Sequence, residues 1–399
     1  MIKNVIIVND YDYVQGGASL VAIESANLLY DNGLNVVFFC GVSNSQRSIL
    51  NKSIPVVSTN KYDSLNNPNK IKGILQGVNN KSSYRKMYEL LKQYKNNETI
   101  IFIHGYTKVL STSFIKACKK YNFKTMLTAH DYFSICPNGG LFNYKKNHIC
   151  SLQGTSKCKW CNCDSRNYLF KLYRNYRFYK QKRNRFVGSI DYLITISENN
   201  ENLLKPFFKN SKIVRIYNPT SIEKKFPRVK CENNLYFIYV GRIDKEKGID
   251  LMCEAFLKYK CKLYIVGDGT ELENLKKRYN QDNIIFTGWV NHDKIIEYMK
   301  KSKALVFPSL LYEGAPLTIF EAQSLGLPVI VSKYSNGKDF VSENDGWIYN
   351  PYDIDSLIAI LGESYMIEKK SCNSYDKYWK NPYTKEKYIN ELLTLLKEI

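Results

Sequence analysis

Short, nearly continuous apolar runs alternate with longer segments whose apolar positions recur at helical spacing. Ile2 to Val8 reads as a buried strand ending at Asn9 and Asp10, and Ala18 to Asn32 as a helix stopped by Gly33. Asn35 to Cys40, Thr99 to His104, Lys124 to His130, Asp191 to Ile196 and Lys212 to Ile216 repeat the apolar run. Runs without polar alternation suit a parallel sheet covered by helices on both faces. A polar, proline-containing stretch from Asn218 to Asn234 interrupts the pattern, which then restarts. Leu235 to Val240, Cys261 to Val266, Asn283 to Phe286, Ala304 to Phe307 and Pro328 to Ser332 are the second set of predicted strands. Two α/β series predict two doubly wound, Rossmann-like domains joined near Asn218 and facing across a cleft, with ligands at the carboxyl ends of the strands. Ser43 to Ser83 is polar and weakly periodic, and predicts loops with poorly defined helix.

The length of 399 residues agrees with two domains, and 44% hydrophobic content allows a large core. Lys and Arg number 58 against 37 Asp and Glu, a formal charge of +21. Such a balance favours anionic partners such as nucleic acid, an anionic membrane surface or phosphorylated small molecules; a general Lys, Asn, Ile and Tyr bias accounts for it equally well. No apolar run approaches the ~20 residues that span a bilayer, and the N-terminus has no secretory pattern. A cytoplasmic protein, peripheral on the inner face of the cell membrane, is the expectation. Its 11 cysteines then argue against a disulfide framework.

Three segments carry chemistry. Glu313-Gly314-Ala315-Pro316-Leu317 through Glu321 puts two carboxylates eight positions apart around a turn and a helix start. Carboxylates accept from sugar and ribose hydroxyls, and a helix N-terminus holds anions; a solvated acidic pair at a helix start fits the spacing too. Gly241-Arg242 through Lys247-Gly248 sends two cations from a strand end, suited to a diphosphate or to plain exposure. Gln15-Gly16-Gly17 stands between the first strand and helix, where glycines admit a phosphate or simply make a turn. It matches neither a dinucleotide fingerprint nor a P-loop.

Together these residues resemble glycosyltransferase family 4, which has the GT-B fold. The resemblance covers nearly the whole chain. It rests most on Phe307-Pro-Ser309, Glu313-Gly-Ala-Pro316 and Glu321-Ala-Gln-Ser-Leu-Gly-Leu-Pro328, with Val266-Gly-Asp-Gly269 and Phe286-Thr-Gly-Trp-Val290 in the same order. The resemblance implies a retaining, metal-independent transfer from a nucleotide-sugar donor, UDP-linked by preference over GDP-linked, to a glycan or lipid-linked glycan acceptor in cell-surface polysaccharide synthesis. No cofactor is implied for catalysis. Arg242 and Lys247 would bind the diphosphate, Glu313 the donor sugar, Glu321 the ribose, and Val290 the base. The Gly314, Ala315, Pro316 and Leu317 turn would border the donor. Gly16 and Gly17 would approach its phosphates, and His130, in Thr128-Ala-His-Asp131, matches the family's cleft histidine. The last helix, with Tyr388, Leu392, Leu395 and Leu396 as its stripe, would return to the first domain. The division is then 1–218 plus 378–399 on the acceptor side and 219–377 on the donor side.

Two features exceed the family pattern. Cys136, Cys150, Cys158, Cys161 and Cys163 crowd one segment. Cys136, Cys150, Cys158 and Cys161 are a candidate set for a structural Zn²⁺, against the alternative of reduced thiols without metal. From Arg166 to Phe186, Leu169, Leu172, Tyr173, Tyr176 and Tyr179 recur at helical spacing among Lys171, Arg174, Arg177, Lys180, Lys182, Arg183 and Arg185. This basic amphipathic helix suits either a membrane surface or a packed position with a solvated basic face. Two rival functions are a nucleotide-sugar epimerase of the same fold and a nucleic-acid-binding protein. The donor-loop motifs oppose the first, and the dispersal of the basic residues, without a recognition motif, opposes the second.

Overall fold

The structure is a computed structural model that describes residues 1–399 apart from 60–61, 64–65, 221, 223–225 and 315. It divides into two compact units: unit 1 comprises 1–141, 151–218 and 385–399, and unit 2 comprises 142–150 and 219–384. The boundary falls at 384/385, not at 378. The helix Ile367–Lys380 is continuous, and the Tyr378 hydroxyl lies 3.0 Å from that of Thr220, tying it to unit 2.

Unit 1 is built on a seven-stranded parallel sheet. Its order is Val56–Ser58, Asn35–Val42, Asn4–Tyr11, Thr99–Ile103, Lys124–Thr128, Tyr192–Thr195 and Lys212–Arg215. The central strands bury Val5, Ile6, Ile7, Val8 and Ile100 through Ile103 completely, as both faces are covered. The helix Lys385–Lys397 belongs to this unit and puts Tyr388, Ile389, Leu392, Leu395 and Leu396 into the core that holds Val5 and Ile7. The Tyr388 hydroxyl lies 2.6 Å from that of Ser25, so the phenol enters the core with its polar end paired.

Unit 2 repeats the plan with six parallel strands ordered Ile284–Gly288, Lys262–Val266, Tyr236–Val240, Ser302–Phe307, Val329–Ser332 and Gly346–Tyr349. In both sheets the first strand of the unit lies between the second and fourth. Strand order reverses there, which opens a crevice beyond the carboxyl ends of those two strands. In unit 1 this point lies between Asn4–Tyr11 and Thr99–Ile103, and in unit 2 between Tyr236–Val240 and Ser302–Phe307.

Ser43 to Ser83 is more ordered than its pattern suggests. It holds the edge strand Val56–Ser58 and the helix Lys70–Val78, with the helix Lys81–Leu91 beginning inside it. Asn69 and Asn80 cap the two helices, accepting from the backbone N–H groups of Lys72 and Ser83. Among the described residues no helix is long and apolar enough to cross a membrane.

Candidate active site

In unit 2 the loops leaving three neighbouring strands press together. Leu310 N–H donates to Glu246 O at 2.9 Å, and Ile243 N–H to Asp268 O at 2.9 Å. Two glycines make this possible. Gly248 has φ 70°, and a Cβ there would stand 2.3 Å from Pro308 O; a Cβ on Gly267 would stand 1.9 Å from Gly241 O. Larger residues would separate the loops that carry the charged groups.

Lys247 and Glu313 form an ion pair at 2.8 Å, each side chain less than one fifth exposed. Oε1 of Glu313 is buried and without a hydrogen-bond partner among the described residues. Its backbone carbonyl accepts from the Asn336 amide, which fixes the turn. Arg242 reaches outward with its side chain 72% exposed and pairs with Asp244 at 2.9 Å. Its carbonyl accepts from the Tyr239 hydroxyl at 2.7 Å, which fixes the backbone at the base of the exposed side chain. Gly314 is partly buried, and Pro316 precedes the helix Leu317–Ser324, whose first turn receives no side-chain cap. That end presents backbone N–H groups to an anion. Ala315 lies outside the described residues.

Glu321 is buried about one turn into that helix, and its Oε1 lies 3.0 Å from Nε2 of His292. The hydrogen bond to Glu321 raises the His292 pKa above the ordinary imidazole value, against the opposing effect of burial. Val290, half-buried, stands just before Asn291, which caps the helix His292–Lys300. His292 was not anticipated. Only its position directly after the Phe286-to-Val290 segment could have pointed to it.

In unit 1, Gly16 has φ 150° and ψ −178°, a conformation restricted to glycine, and caps the helix Gly17–Asp31 without a side-chain bond. No atom comes within 4 Å of a Cβ built on Gly16 or Gly17, so the backbone there is open. His130 follows the strand Lys124–Thr128, and its Nε2 is 3.0 Å from Nδ1 of His104. Burial lowers His130 to about 4 and His104 well below the ordinary value, so both rings are neutral near pH 7. His104 was not singled out from the sequence, where it looks like the polar end of an apolar strand.

Cys136, Cys158 and Cys161 come close enough to act on one another, yet no group of three or more His, Cys, Asp or Glu among the described residues is arranged to hold a metal. The thiols have other partners. Cys136 Sγ donates to the Asn138 side chain at 3.0 Å, while the Lys171 ammonium lies 3.3 Å from Cys163 Sγ and 3.9 Å from Cys158 Sγ. Lys171, which the helical pattern assigns to a solvated face, is buried completely. The fully buried Asp164 pairs with Arg174 at 2.8 Å.

Comparison with known proteins agrees with the geometry of unit 2. Residues 221–381 match the family described as glycosyl transferases group 1. An uncharacterised glycosyltransferase of Methanocaldococcus jannaschii is 26% identical over 296 residues, 68% of this chain and 74% of the relative. These matches support a glycosyltransferase. A UDP-Gal:α-D-GlcNAc-diphosphoundecaprenol α-1,3-galactosyltransferase of Escherichia coli is 35% identical over 164 residues, but these make up 38% of this chain and 41% of that one. The crystal structure of Anabaena HepE in complex with UDP shares the GT-B fold over 100% of both chains, with a TM-score of 0.67 at 14% identity. The three loops of unit 2 meet beyond the carboxyl ends of the strands at the strand-order reversal, the place where open α/β sheets bind their ligands.

Proposed function

We propose that the protein transfers a sugar, with retention of anomeric configuration, from a nucleoside-diphosphate sugar to a glycan or lipid-linked glycan acceptor in cell-surface polysaccharide synthesis. The observation that carries this reading is the ion pair of Lys247 with Glu313 beside the strand-order reversal of unit 2, where a cation and a half-satisfied carboxylate are held on glycine-tight loops. UDP is preferred to GDP as the nucleotide. The UDP in HepE and the UDP-Gal in the name of the Escherichia coli relative support that choice.

In this reading unit 2 is the donor side. Arg242 exchanges Asp244 for the diphosphate, forking onto two oxygens, and Lys247 exchanges Glu313 for it as a point charge. Both stabilise charge that builds on the leaving phosphate, and the uncapped N-terminus at Leu317 adds its N–H groups. Glu313, freed from Lys247, accepts from hydroxyls of the donor sugar, and Glu321 from those of the ribose, with Val290 at the base. The step needs no metal. The bond from the anomeric carbon to the diphosphate breaks as the acceptor hydroxyl attacks the same face, and its proton passes to the leaving phosphate. Unit 1 is the acceptor side, with the open backbone of Gly16 and Gly17 and the neutral His130 as its contributions. The protein works peripherally at the inner face of the cell membrane.

Calorimetric titration with UDP, GDP and their sugar conjugates tests the donor site. Tight binding of one nucleotide, lost in Arg242→Ala and Glu321→Ala, is the expected result, and absence of binding by all of them overturns the reading. Magnetic resonance of the first product formed reports whether the anomer is retained.

A further inference from the structure

The helix Tyr168–Arg183 buries a charge among sulfurs. Lys171 has no exposed surface, and its ammonium lies 3.3 Å from Cys163 Sγ and 3.9 Å from Cys158 Sγ. Among the described residues no carboxylate stands within ion-pair distance of it, and Asp164, the buried acid of the same segment, is taken by Arg174. Burial acts to discharge Lys171, but Cys163 and Cys158 outweigh it and hold the pKa above the ordinary lysine value, so the group stays an ammonium. A buried charge with thiols alone as acceptors is costly, and the cost falls when a sulfur carries the opposite charge. At Cys158 burial raises the thiol pKa, and Lys171 is the largest influence against it. The thiolate, the form of cysteine that attacks oxidants, therefore forms here against a fixed cation.

The two sulfurs differ in access. Cys158 is half-buried in the short helix Lys157–Trp160, between the exposed Lys157 and Lys159, whereas Cys163 is 4% exposed. Cys163 also acts on Cys158 more strongly than Cys161 does, although Cys161 is nearer in sequence. One sulfur is open to a small oxidant, the second is enclosed, and one ammonium touches both. That is the arrangement of an attacking and a resolving thiol.

These thiols brace the chain beside His130. The Asn138 amide donates to both the carbonyl and the sulfur of Cys163 at 3.4 Å. Its Oδ1 accepts from the Cys136 thiol at 3.0 Å and from Gly140 N–H at 3.1 Å, and its backbone carbonyl from Arg174 at 3.2 Å. Together they hold the segment 131–141, which begins directly after His130.

We infer that Cys158 and Cys163 are a reversible oxidation site, where a hydroperoxide converts the two thiols to a disulfide and so takes from Lys171 and Asn138 their sulfur partners. With hydrogen peroxide, the Cys158 sulfur attacks one oxygen, the O–O bond breaks, and the leaving hydroxide departs as water with the thiol proton. The Cys163 sulfur then attacks the sulfenic sulfur, the S–O bond breaks, and a second water leaves with the second thiol proton. Two thiols lose two electrons and two protons to one peroxide. A disulfide cannot carry the charge that offsets the ammonium, so closure loosens the segment 131–141. The site does not depend on the transferase reading.

Treatment of the full chain with a few equivalents of hydrogen peroxide tests it, read by intact mass and by unreduced tryptic peptides. The mass should fall by two hydrogens, a peptide pair should join Cys158 to Cys163, and dithiothreitol should reverse both. Cys163→Ser should abolish the loss and Cys161→Ser should keep it. Lys171→Met, with unchanged circular dichroism, should slow it about 10-fold. Oxidation should lower the melting temperature by several degrees and raise hydrogen exchange across 131–141. A cross-link to Cys161, sulfinic acid at Cys158 without closure, or a rate unchanged in Lys171→Met would each overturn the site. So would a metal ion retained on these thiols in native mass spectrometry and protecting them from peroxide. The cross-link in the parent protein decides the pairing even if the lysine variant does not fold, and unchanged exchange across 131–141 would remove the coupling to the chain beside His130.

Discussion

The two sheets reverse strand order at the same relative place, yet the groups gathered there differ in kind. Unit 2 arms its end with charge: Lys247 holds Glu313, Arg242 holds Asp244, and His292 holds Glu321. Unit 1 places two neutral imidazoles against each other and spends its buried carboxylate, Asp10, on the backbone N–H groups of Lys108, Val109 and Leu110. The difference is electrostatic strategy. A dianionic ligand can be received by exchanging one set of charge partners for another, which avoids leaving a buried charge bare in its absence. A group that meets sugar hydroxyls or an acceptor needs hydrogen bonds without net charge, and burial provides that by discharging histidine. One plan of strands and crossovers thus serves two electrostatic environments, set by a few residues after each strand.

Four experiments could break or sharpen that comparison. The largest effect is expected for Glu313→Gln, which keeps the shape and removes the charge. Turnover should fall about 10²- to 10³-fold, as for loss of one well-placed transition-state contact, while the melting temperature moves by only a few degrees. Equal turnover would remove Glu313 from the reaction.

Acid stability comes next and concerns unit 1. His130 has its folded pKa lowered to about 4, below the ~6.5 of a free imidazole, so the unfolded chain binds more protons between those values. Stability should therefore decline as pH falls from about 6.5 to about 4, by roughly 3 kcal/mol for this ring. Urea unfolding at pH 7 and pH 4.5 measures it, and His130→Asn should make the dependence shallower, leaving the share that belongs to the buried His104. A profile unchanged by the substitution would mean the ring is not discharged by burial.

Arg242→Ala should weaken nucleotide binding about 10-fold and reduce its salt dependence, because the exposed guanidinium contributes a screened, charge-assisted contact. An affinity that stays equal at low salt would leave the diphosphate to Lys247 alone. The smallest effect is a proton count. Glu321 raises the His292 pKa, so a ribose that takes over Glu321 should release part of a proton from His292 near pH 7. Calorimetry in two buffers of different ionisation enthalpy detects it, and His292→Gln should abolish it. Without release in the parent protein, His292 and the ribose do not compete.

Strands were readable where both faces are buried, because a run such as Val5 to Val8 has no polar position to blur it. Val56–Ser58 and Gly346–Tyr349 escaped notice for the opposite reason. The first is three residues at a sheet edge, half exposed, and the second is four residues interrupted by the exposed Ile348. The capped helices after residue 69 do carry a local signal in Asn69 and Asn80, but the surrounding lysines and asparagines mask the period. On the site, residue type and order pointed to Lys247, Glu313 and Glu321 but not to their mutual pairing in the absence of ligand. Pairing depends on glycine-tight contacts between loops 60 residues apart in sequence, such as Gly248 against Pro308. The cysteines show the hazard in the other direction. Their spacing suggests a metal, yet the fold puts an ammonium, from Lys171, against Cys163 and Cys158.

The helix Lys385–Lys397 has a further consequence for synthesis. Leu392, Leu395 and Leu396 complete a core whose other members include Val5, Ile7 and Val36. A ribosome that has translated all seven strands of unit 1 has still made a domain with an open apolar groove, and unit 2 must emerge before the piece that closes it. The two units therefore cannot mature strictly in the order of their translation. The nascent chain carries an unfinished first domain through most of its elongation, a window in which chaperone binding has the most to protect and in which a stall before residue 392 leaves a product prone to aggregation.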